Sequence, residues 1–172
     1  AGRFGIGKNS LKFLNQLGYL VDSSVFPLKI TPTVRNKNNF YDAPVKAYFP
    51  DMNDYTREDP SGNLLELPIT VHSQFFLKLP KELRKAISLS PLTVSALSKL
   101  LGRERVKTFS LRPSGYSFEQ MKEVVDRHIR FHHDGEPVFL NMMFHSNEII
   151  EEASPYCRTS ADVSAFLGRM EK

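Results

Sequence analysis

Apolar residues recur along this chain at two periods, and the change of period marks its elements. Leu11, Leu14 and Leu17 repeat at helical spacing after Asn9 and Ser10, either of which can cap, and Gly18 stops the helix. Tyr19-Leu20-Val21 is a short strand that ends at Asp22-Ser23-Ser24. Residues 27–62 are rich in Pro, Asn and Asp and predict a long loop. Its aromatics, Phe40, Tyr41, Tyr48, Phe49 and Tyr55, suit either stacking on sugar rings or a packing cluster of their own. Leu64 to Thr70 predicts a second strand. Pro80 to Ile87 and Leu92 to Leu101 predict helices opened by Pro80 and Pro91. Val106 to Leu111 is a third strand, stopped by Arg112-Pro113-Ser114-Gly115.

Ser117 and Gln120 form a capping box before a helix that turns Met121, Val124 and Val125 inward and ends near Asp134-Gly135. Val138 to Phe144 is a fourth strand. Thr159 and Asp162 open a last helix with Val163, Phe166, Leu167 and Met170 on its apolar face. Strands alternating with helices predict an α/β fold with parallel pairing, in a single domain covering residues 1–172.

Three of these strands end on reactive residues: Asp22, Arg112 and His145. Parallel α/β folds gather their sites at the carboxyl ends of strands, so the three are expected at one rim. Strand ends also meet water, which explains any one of them without function. In Val138 to His145 the alternation sets Val138, Leu140, Met142 and Phe144 on an apolar face. Phe139, Asn141, Met143 and His145 face the other way, which predicts a partly buried imidazole able to move a proton near neutral pH. His128 and His132 lie four apart on a helix, but no glutamate of the zincin pattern stands between them. Capping and surface roles are expected. His72 receives no role.

Composition narrows the classes. With 172 residues, 41% hydrophobic and 24% charged, the chain can bury a sizeable core. Its net charge of +4 is scattered rather than clustered, which argues against a nucleic-acid partner. Cys157 is alone, so no internal disulfide forms. No apolar run approaches the ~20 residues of a membrane span. The glycines at 2, 5 and 7 do not match a phosphate-binding loop. The sequence opens at Ala1 as if in the middle of a fold, and a fragment is expected.

Three stretches together resemble the later motifs of polysaccharide deacetylases, the NodB-homology proteins of carbohydrate esterase family 4. They are Gly2-Arg3-Phe4-Gly5, then Leu17-Gly18-Tyr19 leading to Asp22-Ser23-Ser24-Val25, then Phe144-His145-Ser146-Asn147-Glu148. Their order and spacing fit, and the likeness covers essentially the whole chain. It implies the C-terminal portion of a distorted (β/α) barrel and a metal-dependent hydrolase removing N- or O-acetyl groups from a carbohydrate substrate. It implies His145 as the acid that protonates the leaving group and Asp22 as the carboxylate orienting charged neighbours. Arg112, Arg3 and Glu148 are expected at the substrate rim.

The family's Asp-Asp and His-x-x-x-His pairs are not found here. The divalent metal that the likeness implies, zinc foremost, is therefore expected to have its ligands in a parent protein, with this chain alone inactive. The family's Asp-x-x-Asp-Trp pattern is also absent, as is any Trp. That suggests a divergent branch acting in surface-polysaccharide or lipopolysaccharide assembly, in a bacterial cytoplasm or cell envelope. Two other readings compete. One is a non-catalytic sugar-binding or polysaccharide-assembly protein on the same fold. The other is an unrelated α/β enzyme whose Arg112 holds a phosphate or carboxylate.

Overall fold

Apolar runs this short, broken by proline and glycine, give short strands. The computed structural model describes residues 4–7, 9–32, 37–132, 135 and 137–171. Helix α1 (Ser10–Gln16) buries Leu11 and ends where Gly18 adopts φ +77°, a left-handed conformation that glycine adopts without steric cost. Strand β1 (Val21–Asp22) follows. The predicted long loop contains two hairpins, β2 (Ile30–Pro32) with β3 (Lys37–Asn39), and β4 (Pro50–Asp51) with β5 (Asp54–Glu58). Its aromatics mostly pack inward: Phe40 is fully buried against Tyr55 at 5.3 Å, and the buried Tyr48 donates its hydroxyl to the Tyr55 carbonyl. That leaves Phe49 exposed.

Of the second predicted strand, Leu64 to Thr70, only β6 (Leu65–Glu66) forms a ladder, and β7 (Val71–His72) follows just beyond its end. β6 pairs with β1 in parallel, Val21 beside Leu65 and Asp22 beside Glu66. A helical excursion then runs through α2 (Lys81–Ser88), α3 (Pro91–Leu101) and α4 (Arg103–Val106). Its base is closed by the Phe75 N–H donating to the Arg105 carbonyl at 3.1 Å. The excursion therefore leaves and returns at the same end, and β8 (Phe109–Ser110) lies antiparallel to β7. This departs from the parallel pairing expected throughout. Among the described residues the strands form four two-stranded ladders and no closed barrel.

Helix α5 (Phe118–Phe131) carries both bonds of the Ser117–Gln120 capping box and buries Met121, Val124 and His128. It stops at Phe131, short of the predicted Asp134, which lies outside the described residues. Helix α6 (Ser160–Met170) has the Thr159–Asp162 box, but of its predicted apolar face only Phe166 is buried.

Residues 137–144 form no ladder. The Asn141 N–H donates to Thr70 Oγ1 at 2.7 Å, while the Asn141 carbonyl accepts from Thr70 N at 3.0 Å. Met143 N donates to the Leu111 carbonyl at 3.0 Å, and Leu111 N to that of Thr70 at 3.1 Å. A side-chain oxygen thus takes a bond that a regular ladder would give to a carbonyl. The apolar face predicted there is not packed away: Leu140, Met142 and Phe144 stay exposed, with Phe144 edge-on to Phe166 at 5.8 Å. The main core lies between the β1–β6 pair and the excursion, around Val25, Phe40, Leu64, Val71 and Phe76. No helix among the described residues is long and apolar enough to cross a membrane.

Candidate functional site

The interlocked segments at Thr70, Leu111 and Asn141 leave an open cavity of about 610 Å³. Ser23, Thr31, Arg112, Asn141, His145 and Tyr156 reach its wall from segments far apart in sequence. Lys29, Phe4 and Phe144 add to its charged and aromatic lining. Asn141 is the hinge of this wall. Its amide donates to Ser23 Oγ at 2.6 Å and to the Leu67 carbonyl at 2.7 Å, which ties the β1 end to the 137–144 segment.

Arg112 and His145 both line this cavity, although neither ends a parallel strand. Arg112 is held on three sides. Its Nη2 is 3.0 Å from Glu148 Oε1, its Nε donates to Ser114 Oγ at 3.0 Å, and its guanidinium stacks over the Tyr156 ring at 4.7 Å. Glu148 is wholly buried beneath it, so this glutamate holds the arginine rather than reaching the cavity itself. His145 departs from its expected partial burial. It is exposed and precedes the short 3-10 turn Ser146–Ile149, its carbonyl accepting from Glu148 N at 2.9 Å. The turn explains the exposure, because the chain changes course just after His145. Arg3 lies outside the described residues.

Asp22 does not line the cavity; its neighbour Ser23 does. Consecutive residues of an extended chain point to opposite faces. Asp22 turns towards Glu66, its register partner on β6. Glu66 is fully buried, with Oε1 accepting from Val25 N at 3.0 Å. Its pKa is pushed up to about 8, chiefly by desolvation and then by the Asp22 charge. Glu66 Oε2 and Asp22 Oδ2 are both buried and meet no N–H or hydroxyl donor among the described residues. A proton on Glu66 hydrogen-bonded to Asp22 satisfies both, and Ser24 Oγ donates to the other Asp22 oxygen at 3.0 Å. Glu66 escaped the sequence reading because its only signal was an acidic residue inside an apolar strand. Thr31, Lys29 and Tyr156 left no signal, since loops and turns bring them in.

His132 is the C-cap residue of α5, as expected, but neither it nor His128 is at the surface. His128 and His132 are buried with ring centres 4.4 Å apart, beside a second cavity of about 410 Å³. Desolvation first, then the neighbouring His132, lowers the pKa of His128 to about 4, so it is neutral under ordinary conditions. His72 is similarly lowered to about 4, by desolvation and then by Arg127. Among the described residues no group of three or more His, Cys, Asp or Glu side chains converges as metal ligands do. No protein-family model, curated protein or solved structure matches this chain, so the likeness to polysaccharide deacetylases rests on the motif residues alone.

Proposed function

We propose that this chain supplies the substrate-binding wall and the proton donor of a carbohydrate deacetylase. The observation that carries the reading is the meeting of Ser23, Arg112, Asn141 and His145 around one cavity, with the aromatic faces of Phe4 and Tyr156 beside them. Hydroxyl-rich sugars are bound by this mixture of fixed donors, acceptors and flat apolar rings. Thr31 adds support: its Oγ1 is buried on the same wall with no described partner, an unmet bond that a sugar hydroxyl would make.

This chain's own residues bind the sugar, orient it and deliver a proton. Arg112, locked by Glu148 and Tyr156, is a rigid donor for an acyl or ring oxygen. His145, exposed at the rim, gives a proton to the departing amine or sugar oxygen. Asp22 and Glu66 stiffen the wall from behind. On this reading the chain is part of a distorted (β/α) barrel. The exposed apolar side chains of Leu20 and Val21 at one edge, and of Phe139 and Leu140 at another, support it as surfaces that further strands would cover.

A second reading, a non-catalytic sugar-binding protein, uses the same cavity without the proton transfer. Calorimetric titration of the chain with N-acetylglucosamine oligosaccharides tests both readings, because each requires binding. In an active full-length protein, His145→Ala lowers deacetylation turnover by about 10²–10⁴-fold with KM little changed. Unchanged turnover removes His145 from the chemistry. Sugar binding with no turnover in the full-length protein favours the second reading, and no binding to the chain ends both.

A further inference from the structure

Lys29 stands where two cavities meet. One is the His145 cavity; the other, of about 560 Å³, lies between α3, α4 and the turn at Phe26–Lys29. That turn is strained. Leu28 is buried with φ +58°, a left-handed conformation that is unfavourable for a residue bearing a Cβ. It is held there on both sides: Leu28 N donates to the Phe40 carbonyl at 3.1 Å, and Phe40 N donates to the Lys29 carbonyl at 2.9 Å. Strain kept by surrounding bonds is a recurring mark of functional turns. Its result here is to hold the Lys29 ammonium over the Phe26 ring, 4.2 Å from its centre, near Arg112. Desolvation, and then the Arg112 charge, lowers the Lys29 pKa.

The second cavity carries an unbalanced charge. Lys29, Arg103 and Lys107 line it against a single carboxylate, Glu104, which sits 3.9 Å from Lys107 with both groups exposed. A pair that loose and solvated neutralises little. Neither Lys29 nor Arg103 is ion-paired with a described carboxylate, whereas Arg112 is already answered by Glu148. Tyr41 and Tyr116 supply flat walls beside the cations. A cleft with low-dielectric walls and surplus positive charge concentrates anions.

We propose that the two cavities form one binding track for an acidic saccharide, with the sugar ring beside His145 and its phosphate or carboxylate group among Lys29, Arg103 and Lys107. This rests on the sugar-binding reading above and narrows its substrate class. Lys29 bridges the two parts and bonds the anion at the point where it joins the ring.

Titration calorimetry on the chain tests this with three probes: N-acetylglucosamine, N-acetylglucosamine 1-phosphate and glucuronic acid. At low salt at least one acidic sugar should bind about tenfold or more tighter than the neutral one. The advantage should shrink as salt is raised. Whether the phosphate or the carboxylate gains more identifies the anion. Arg103→Gln with Lys107→Gln, both exposed, should abolish the advantage and leave neutral-sugar affinity unchanged. Lys29→Gln should lose it and Lys29→Arg keep it, with circular dichroism confirming the fold of each. Equal binding of neutral and acidic sugars, or an advantage surviving the Arg103/Lys107 double change, overturns the track and spares the sugar-binding reading. No binding of any of the three defeats both.

Discussion

Two glutamates in this protein are equally inaccessible and meet opposite fates. Glu148 and Glu66 both have 0% of their surface exposed. Glu148 faces the Arg112 guanidinium at 3.0 Å, so its charge is matched. Glu66 faces another carboxyl group, that of Asp22, and a pKa near 8 keeps it protonated at neutral pH. A buried carboxylate needs a counter-charge or a proton, because its bare desolvation is too costly to bear. Burial alone does not tell which; the neighbour does. The ion-paired glutamate sits directly behind the cavity wall and fixes a cation there. The protonated one lies behind Asp22 and ties the β1–β6 pair to Val25, with no cation to fix.

The largest test breaks the matched side. Arg112→Ala strands the Glu148 charge, and unfolding free energy should fall by about 3–5 kcal/mol in urea titrations. Replacing both partners, Arg112→Met with Glu148→Met, should recover most of that loss. If the single change costs no more than the double, Glu148 is not held as a charge.

An effect of comparable total size, spread over pH, tests the other side. Glu66 keeps its proton in the folded state up to about pH 8, whereas the unfolded group loses it near its ordinary value of 4.5. The stability it contributes is therefore complete below about pH 4.5 and is lost as pH rises through 8. The slope approaches about 1.4 kcal/mol per pH unit between those limits. Glu66→Gln should flatten this decline, so that the variant gains on the parent as pH increases. Parallel stability–pH curves for the two proteins would show that Glu66 titrates alike in the folded and unfolded states, without a raised pKa. The smallest effect sharpens the same point: Ser24→Ala removes the hydroxyl donor to Asp22 Oδ1 and should cost about 1 kcal/mol.

Much of the local structure was legible in the residues. The capping boxes at Ser117 and Thr159 appear where their spacing predicts, because a cap is decided within four residues. The inward face of α5 follows from its period, although His128 joins it unannounced. The 137–144 segment departs in detail from what its alternation predicts. Its alternation suggested one buried face, but Thr70 and Asn141 side chains take bonds that a regular ladder would use. Nor could the residues tell that aromatics of the 27–62 stretch would pack on one another, since the same rings serve equally well for stacking on a ligand.

The candidate site divides along the same line. His145 and Arg112 were visible as polar residues stopping apolar runs, and both reach one cavity. Lys29, Thr31 and Tyr156 were not visible, because their places depend on a strained turn, a hairpin and a loop rather than on any period.

What the sequence determined by itself is what depends on near neighbours: where helices start, where they stop, and which of their faces are apolar. Only the tertiary structure decided strand direction, the partner of each buried carboxyl, and which cations lie side by side. Those outcomes depend on contacts between segments tens of residues apart, as with Glu66 and Val25 or Arg112 and Glu148. A linear period carries no record of who arrives at the other end of such a contact.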